Sequence, residues 1–131
     1  FAGISIATRP DCLGEDVISL LKELKENYPN KFIWVELGLQ TIHESTAKWM
    51  NRGYPLEVFD KAVKDLKAIN INVIVHIIIG LPGEDQKMLL ETIQHLNACQ
   101  IDGVVITLFK KYKIRYAIFI ESITVSCFRD G

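Results

Sequence analysis

The sequence is short of cysteine, net charge and long apolar runs. Its three cysteines, Cys12, Cys99 and Cys127, lie far apart, which excludes a disulfide framework or a metal knuckle and is typical of a reducing cytosol with idle or buried thiols. The 15 lysines and arginines balance 16 aspartates and glutamates, so nothing indicates a nucleic-acid or membrane-surface partner. No apolar run approaches the roughly 20 residues of a membrane span. We therefore expect one cytoplasmic globular domain.

Apolar periodicity predicts alternating strands and helices. The predicted strands cover 3–8, 32–39, 72–79 and 103–109, and the predicted helices cover 14–27, 41–50, 56–69 and 85–98. Thr41 followed by Glu44 looks like a capping box at the start of the second helix. Strands separated by helices imply right-handed crossovers and a parallel sheet. The β-branched and aromatic tail differs in character, so we divide the chain into 1–109 and a β-rich tail, 110–131.

Each predicted strand has one aliphatic face and one face with small or polar side chains. In the second strand, the face with Val35 and Leu37 is aliphatic, whereas the other face carries Glu36 and Gln40. A doubly wound sheet would be covered by helices on both faces and aliphatic on both. One polar face per strand instead predicts an α/β fold in which a barrel or half-barrel of parallel strands holds a ligand inside.

Polar or glycine residues follow the predicted strands where helical patterns begin. These motifs are Glu36–Gln40, Asn51–Gly53 and Ile77–Glu84. Because ligands bind at the carboxyl ends of strands in parallel α/β folds, the three motifs point to a single composite site.

Four motifs in order resemble the second half of the radical S-adenosylmethionine (radical SAM) core. They are Ser5–Cys12, Trp34–Thr41, Asn51–Gly53 and His76–Glu84, and the likeness covers residues 1–108. It is strongest to the branch that contains the elongator catalytic subunit and uncharacterised bacterial Fe-S oxidoreductases. The resemblance implies a partial (β/α) barrel, half of a TIM-like barrel, which holds a [4Fe-4S] cluster and S-adenosylmethionine. It also implies reductive cleavage of S-adenosylmethionine to a 5'-deoxyadenosyl radical.

The resemblance assigns cofactor-binding roles to three polar residues. Gln40 matches the glutamine that approaches the ribose hydroxyls of S-adenosylmethionine. Arg52 matches the arginine near the methionine carboxylate, a group that a guanidinium fork suits. His76 stands where related enzymes often place an aspartate on the ribose.

Further roles follow from the remaining motifs. Ile78 and the stretch from Gly80 to Glu84 match the glycine-containing motif that lets the backbone approach the adenine. Arg9 is expected to face the barrel interior and to neutralise cofactor or substrate charge, and Glu36 shares the interior rim.

The chain departs from the family in one important respect: it contains no CxxxCxxC motif, whose thiolates hold the cluster. We therefore expect a fragment, cut at the edge of a strand, of a parent enzyme that uses S-adenosylmethionine and [4Fe-4S]. The fragment itself is expected to bind no cofactor and no metal and to be inactive. We also expect it to self-associate through the exposed edge of strand 3–8.

The same residues are compatible with other interpretations. The chain could be a non-catalytic α/β module that binds a phosphate or nucleotide at the Gly80–Glu84 turn, beside a helix N-terminus. That turn could also be only a tight turn with Asp85 as the helix N-cap. The two remaining histidines, His43 and His95, are expected on solvent faces without ligand-spaced partners.

The charged residues and His76 could also have structural roles in place of cofactor binding. Glu36 could pair with Arg9 or Arg52 as interior ions. Arg52 could instead lie on the surface, and His76 could be a satisfied interior histidine.

Overall fold

Strands and helices alternate along the chain in the computed structural model, which describes residues 2–114 and 117–128, and the side chains of residues 2–109. The elements in chain order are β1 (Gly3–Thr8), a 3₁₀ turn (Pro10–Cys12), α1 (Glu15–Asn27), β2 (Phe32–Gln40), α2 (Glu44–Trp49), α3 (Leu56–Ala68), β3 (Asn72–Ile79), α4 (Gln86–Ala98), β4 (Gly103–Ile114) and β5 (Ala117–Phe128).

The described strands form a single sheet with the order β1-β2-β3-β4-β5. The first four are parallel, with Ala7 opposite Glu36 and Gly38 opposite His76. This arrangement confirms the predicted α/β fold with parallel strands. Because each parallel pair is joined through a helix, all four strands end at the same edge of the sheet.

The tail departs from the predicted boundaries. The fourth strand was expected to end at residue 109, but β4 continues to Ile114, and β5 returns antiparallel along it, with Gly103 opposite Phe128. In this chain β5 therefore lies on the outer edge of β4, and β1 pairs only with β2 among the described strands. β4 runs across residue 109, and the division of the chain into two parts at that residue remains a prediction.

One face of the sheet forms the hydrophobic core. Its buried aliphatic side chains are Val35, Leu37 and Leu39 of β2 and Val73, Val75 and Ile77 of β3. Phe59 and Leu66 of α3 and Leu21 of α1 pack against them. Burying a side chain of this size stabilises the fold by about 1.5–3 kcal/mol. Burial of these side chains therefore determines which side of β2 and β3 faces the helices.

The starts of the helices show one correct and one wrong prediction. Asp85 is the N-cap of α4, and its carboxylate accepts a hydrogen bond from the backbone N–H of Met88 at 2.8 Å. The capping box predicted for Thr41 and Glu44 is absent, because α2 begins at Glu44 itself, with His43 at the N-cap. The Thr41 hydroxyl accepts from the His43 N–H and donates to Glu84 across the loop.

The opposite face of the first three strands, the concave face of the expected half-barrel, carries polar side chains such as Ser5, Glu36 and His76. Trp34, Glu36 and His76 lie on this concave face and are half-buried. A bulge interrupts the pairing of β2 with β3 between Gly38 and Gln40. None of the helices within residues 2–109 is both long and apolar enough to cross a membrane.

Candidate functional site

Three side chains from three neighbouring strands meet on the concave face. The Ser5 hydroxyl donates to Glu36 Oε2 at 3.2 Å, and His76 Nε2 lies 3.5 Å from Glu36 Oε1. Glu36 therefore pairs with Ser5 and His76, and the interior ion pair with Arg9 or Arg52 is not formed. The His76 side chain is 38% exposed, so its ring remains open to a ligand on this face.

Gln40 reaches the same face through the bulge. Its backbone has a left-handed φ of 71°, which few non-glycine residues adopt. A Cβ added at Gly38 would lie 3.1 Å from Gln40 Nε2. Gly38 lies between Leu37 and Leu39, whose side chains are buried in the core. Because side chains alternate along a strand, a Cβ on Gly38 would point to the concave face. Gln40, Glu36 and His76 therefore converge on one side of the sheet, as the sequence predicted; their roles toward a cofactor remain predictions.

Arg52 is buried at the end of β2. Its Nη1 donates to the carbonyls of Thr41 at 2.6 Å and Leu39 at 3.4 Å, and its Nε donates to the Tyr54 carbonyl at 3.0 Å. Nη2 donates to Glu44 Oε1 at 3.1 Å. The side chain is only 3% exposed, so the surface reading of Arg52 is wrong.

These contacts give Arg52 a defined structural role. A guanidinium has five N–H donors, and four hydrogen bonds already hold the loop between β2 and α3. Arg52 therefore fixes the rim of the site by satisfying backbone carbonyls in the last residues of β2 and in the loop that follows it. The predicted contact with a methionine carboxylate stays a prediction, and one N–H is left to make it.

Arg9 lies at the rim formed by the strand ends. Its Nε and Nη2 each donate to Asp11 at 2.9 Å, and Nη2 also donates to the Arg52 carbonyl at 3.3 Å. The hydrogen bond from Arg9 lowers the pKa of Asp11. The Arg9 side chain is 56% exposed at the mouth of the site, where its charge is paired with that of Asp11.

Tyr54 joins the two arginines and was missed by the sequence analysis. The guanidinium carbon atoms of Arg52 and Arg9 lie 4.8 and 5.6 Å from its ring centroid, within the range of cation–π attraction. Its hydroxyl donates to the Gly38 carbonyl beside the bulge. Burial raises the pKa of Tyr54, although both arginines oppose the shift. No periodicity or motif in the sequence marks this residue.

The turn after β3 brings backbone close to the strand ends. Gly80 has a φ of 87°, and a Cβ there would lie 3.0 Å from the Phe109 carbonyl oxygen of β4. Ile78 is buried beneath the turn. Glu84 accepts a hydrogen bond from the Thr41 hydroxyl, so the turn is tied to the end of β2. Thr41 could have been suspected only as a polar residue directly after a strand.

One buried donor on the concave face lacks an acceptor. Trp34 Nε1 is buried and, within the described residues, has no hydrogen-bond partner; its ring stacks on Phe32 with centroids 4.9 Å apart. Buried polar groups are nearly always paired, so an acceptor from outside the described residues would complete this face.

The predicted site residues thus form two groups. Glu36, Gln40 and His76 share the concave face, whereas the others lie along the rim at the strand ends: Arg9, Arg52, Gly80 and Glu84, with Ile78 below them. The carboxylate, amide and imidazole can hydrogen-bond ligand hydroxyls, and the exposed glycine backbone admits a flat group. These groups are chemically suited to a polar ligand that carries a flat group.

Comparison with known proteins gives consistent matches. The family model for the Radical SAM superfamily matches residues 1–96. The uncharacterized protein YtqA of Bacillus subtilis is 45% identical over 111 residues, which are 85% of this chain and 34% of that protein. Other curated relatives match over a similar extent, so the chain spans about a third of their length.

Solved structures give the same result. The archaeal Elp3 of Methanocaldococcus infernus superposes with a TM-score of 0.62 at 29% identity, over 72% of this chain and 21% of that one. Coproporphyrinogen III oxidase (HemN) of Escherichia coli, a radical SAM enzyme, superposes with a TM-score of 0.70 at 18% identity, over 84% of this chain and 24% of that one; at this identity it supports the fold alone. The chain belongs to the radical SAM superfamily and is related to its elongator-type proteins.

Proposed function

We propose that this chain forms one wall of the S-adenosylmethionine site in a cytoplasmic Fe-S oxidoreductase of the radical SAM type. The observation that carries the proposal is the convergence of Glu36, Gln40 and His76 on the concave face beside the ends of parallel strands. In that enzyme, S-adenosylmethionine and a [4Fe-4S] cluster would together supply the reductive cleavage that gives a 5'-deoxyadenosyl radical. This chain's own residues bind and orient the nucleoside part.

The residues present suit S-adenosylmethionine. Gln40 and His76 offer hydrogen-bonding groups for ribose hydroxyls, and Glu36 holds the His76 ring in position. The Gly80 backbone beside β4 suits the flat adenine, and the unpaired Trp34 Nε1 supplies a donor on the same face. Arg52 keeps one N–H for the methionine carboxylate at the rim, and Arg9, paired with Asp11, lies beside it.

The residues present do not suit a [4Fe-4S] cluster. Such a cluster needs several thiolates close together, whereas Cys12 is exposed in the 3₁₀ turn after β1 and Cys99 follows α4. Because strand and helix run in opposite directions, these two positions belong to opposite ends of the sheet. We propose that the cluster ligands lie in a segment or partner outside these 131 residues, and that the chain alone does not cleave S-adenosylmethionine.

Anaerobic reconstitution with iron and sulfide tests whether the cluster ligands lie outside these 131 residues. We expect the purified 131-residue chain to hold no stoichiometric cluster and to form no 5'-deoxyadenosine with dithionite, because it lacks a thiolate triad. Iron and sulfide analysis and the visible spectrum provide the measurement, with an authentic radical SAM enzyme as the positive control. A stable cluster on this chain would overturn the proposal.

Substitution of Gln40 tests the cofactor wall itself. In a longer protein that joins this chain to a CxxxCxxC segment, we expect Gln40→Ala to weaken S-adenosylmethionine binding by about 1–2 kcal/mol, the scale of a lost hydrogen bond. Calorimetric titration measures the affinity. Gln100→Ala is the matched control, since Gln100 also has a positive φ (56°) but follows α4, away from the strand ends. Equal affinities in the two variants would show that Gln40 is structural.

The phosphate-binding alternative has less support. The N-terminus of α4 is already capped by the Asp85 carboxylate, and Glu84 adds a second carboxylate to the same turn. Two negative side chains beside the first turn of the helix oppose the binding of an anion there.

We also propose that the chain self-associates through the open edge of β1, with a second copy as the partner. β1 ends the described sheet, and Ile4, Tyr28 and Phe32 beside it are 39%, 55% and 47% exposed. Unpaired strand edges with apolar neighbours pair with other chains. Nothing in the charge balance favours a nucleic-acid partner.

Light scattering over a concentration series tests the edge. We expect the native chain to show a mass above that of a monomer, and Ile4→Lys to reduce it to the monomer, since a lysine beside an edge blocks pairing. Ile93→Lys is the matched control, because Ile93 is 44% exposed on α4, away from β1. A monodisperse native monomer would contradict the proposal.

A further inference from the structure

A cluster of three metal-binding side-chain types lies between α3 and α4. Asp60 of α3, His95 of α4 and Cys99 at the end of α4 each offer one ligand atom, and these atoms all lie within 4.8 Å of one another. His95 Nε2 is 2.6 Å from Asp60 Oδ1, and Cys99 Sγ is 3.7 Å from the same oxygen. The expectation that His95 sits on a solvent face without a ligand-spaced partner is therefore wrong.

Helix geometry explains the cluster. His95 and Cys99 are four residues apart, and the Cys99 N–H donates to the His95 carbonyl at 3.0 Å, so the helical turn continues and both side chains lie on one face. Asp60 follows the buried Phe59 of α3, at the edge of the surface that α3 packs on the sheet. The sequence separation of 35 residues between Asp60 and His95 hides this proximity from any local pattern.

The distances are close to those of a tetrahedral site. Zinc bonds of about 2.0–2.3 Å place neighbouring ligand atoms roughly 3.3–3.7 Å apart. The separation of Cys99 Sγ and Asp60 Oδ1 already falls in this range, and the His95–Asp60 pair needs to open by only about 1 Å. Imidazole, thiolate and carboxylate together select Zn²⁺ or Co²⁺ over Mg²⁺ or Ca²⁺.

We propose that Asp60, His95 and Cys99 bind a divalent ion of the Zn²⁺ class, with water as the fourth ligand, as a clamp between α3 and α4. The Asp60 side chain is 41% exposed, which gives the ion and its water a path from solvent. On binding, the Cys99 S–H bond breaks, its proton passes to solvent, and the sulfur bonds to the metal. The His95 Nε2–H proton that faces Asp60 also leaves, so that the neutral ring carries its proton on Nδ1 and Nε2 bonds to the metal. Without metal, the thiol and the imidazole share the Asp60 carboxylate.

This site is separate from the concave face. α3 and α4 contribute to the hydrophobic core against the aliphatic side of the sheet, whereas the proposed cofactor wall lies on the other side. The proposal of a metal site therefore does not depend on the proposed binding of S-adenosylmethionine, and each can be tested without the other.

Cobalt titration tests the site in a Cys12→Ser, Cys127→Ser background, which leaves Cys99 as the sole cysteine. We expect Co²⁺ to produce a thiolate-to-metal charge-transfer band and the visible absorption of a tetrahedral site, both displaced by Zn²⁺. The charge-transfer band is lost in Cys99→Ser, and the tetrahedral spectrum is lost in His95→Gln and Asp60→Asn. His43→Gln is the matched control and leaves the spectrum unchanged, because His43 Nε2 contacts the Met88 carbonyl away from the cluster.

Alkylation of the unmodified chain gives a readout that needs no substitution. Zn²⁺ is expected to protect Cys99 from iodoacetamide but to leave the exposed Cys12 reactive, as followed by peptide mass spectrometry. Because burial and then Asp60 raise the pKa of Cys99 to about 11, the comparison is made at alkaline pH over long incubation. Absence of the cobalt spectrum in the background chain, a spectrum that survives His95→Gln, or equal alkylation of Cys99 with and without Zn²⁺ would each overturn the proposal.

Discussion

Replacement of Arg52 by methionine is expected to lower the free energy of unfolding by about 3 kcal/mol. Methionine keeps much of the apolar volume but removes the donors to the Leu39, Thr41 and Tyr54 carbonyls. An unsatisfied buried acceptor costs about 1–3 kcal/mol, and some of these carbonyls will regain water at the rim. Urea unfolding followed by circular dichroism gives the measurement, with the slope of the transition as a check on two-state behaviour.

Arg9→Met is the matched control for this prediction. Arg9 also lies against the Tyr54 ring, but its side chain is 56% exposed and its main partner, Asp11, is at the surface. We expect this substitution to change stability little, since exposed ion pairs contribute little. Arg52→Lys should fall between the two, because an ammonium cannot reproduce the planar fork. If the two methionine variants unfolded alike, the structural role assigned to Arg52 at the rim would be wrong.

Replacement of Gly80 by alanine is expected to lower the free energy of unfolding by about 3 kcal/mol. A φ of 87° is left-handed backbone, where an L side chain costs about 1–2 kcal/mol. The added Cβ also meets the Phe109 carbonyl oxygen at 3.0 Å, and that oxygen belongs to the backbone of β4, which is held in the sheet. Overpacking of this kind costs about 1–3 kcal/mol.

Gly83→Ala separates the two contributions. Gly83 has a similar φ of 82°, but nothing lies within 4 Å of an added Cβ. We expect a loss of about 1 kcal/mol, the backbone cost alone. Denaturant unfolding of the two variants side by side gives the difference. Equal losses would mean that the approach of β4 to Gly80 does not matter, and that the turn is free to move at the mouth of the site.

The concave face could be predicted in part. The period of two in β2 and β3 separates Glu36 and His76 from the aliphatic side chains, and this is a local property of extended backbone. Which polar residues touch depends on register, and register is a relation between strands 40 residues apart in sequence. For this reason the sequence leaves open only ion pairs of Glu36 with Arg9 or Arg52, and the Glu36–His76 pair is seen only in the structure.

Arg52 shows the same limit at the rim. The Asn51–Gly53 motif predicts only that Arg52 lies in a loop. The local sequence does not distinguish a loop side chain that is exposed from one that is buried. Burial follows from the positions of the carbonyls of Leu39 and Thr41, which only the assembled sheet and the path of the following loop bring within reach. Tyr54, which lies under both arginines, carries no local signal at all.

Local pattern determined the order of strands and helices, the parallel sheet and the family, because periodicity and ordered motifs are properties of the chain itself. The tertiary structure alone decided which groups meet: the bulge that turns Gln40 onto the concave face, the link from Thr41 to Glu84, and the approach of Asp60 to His95. Each of these depends on the packing of elements distant in sequence, where distances of a few ångströms are set by the whole core and not by neighbouring residues.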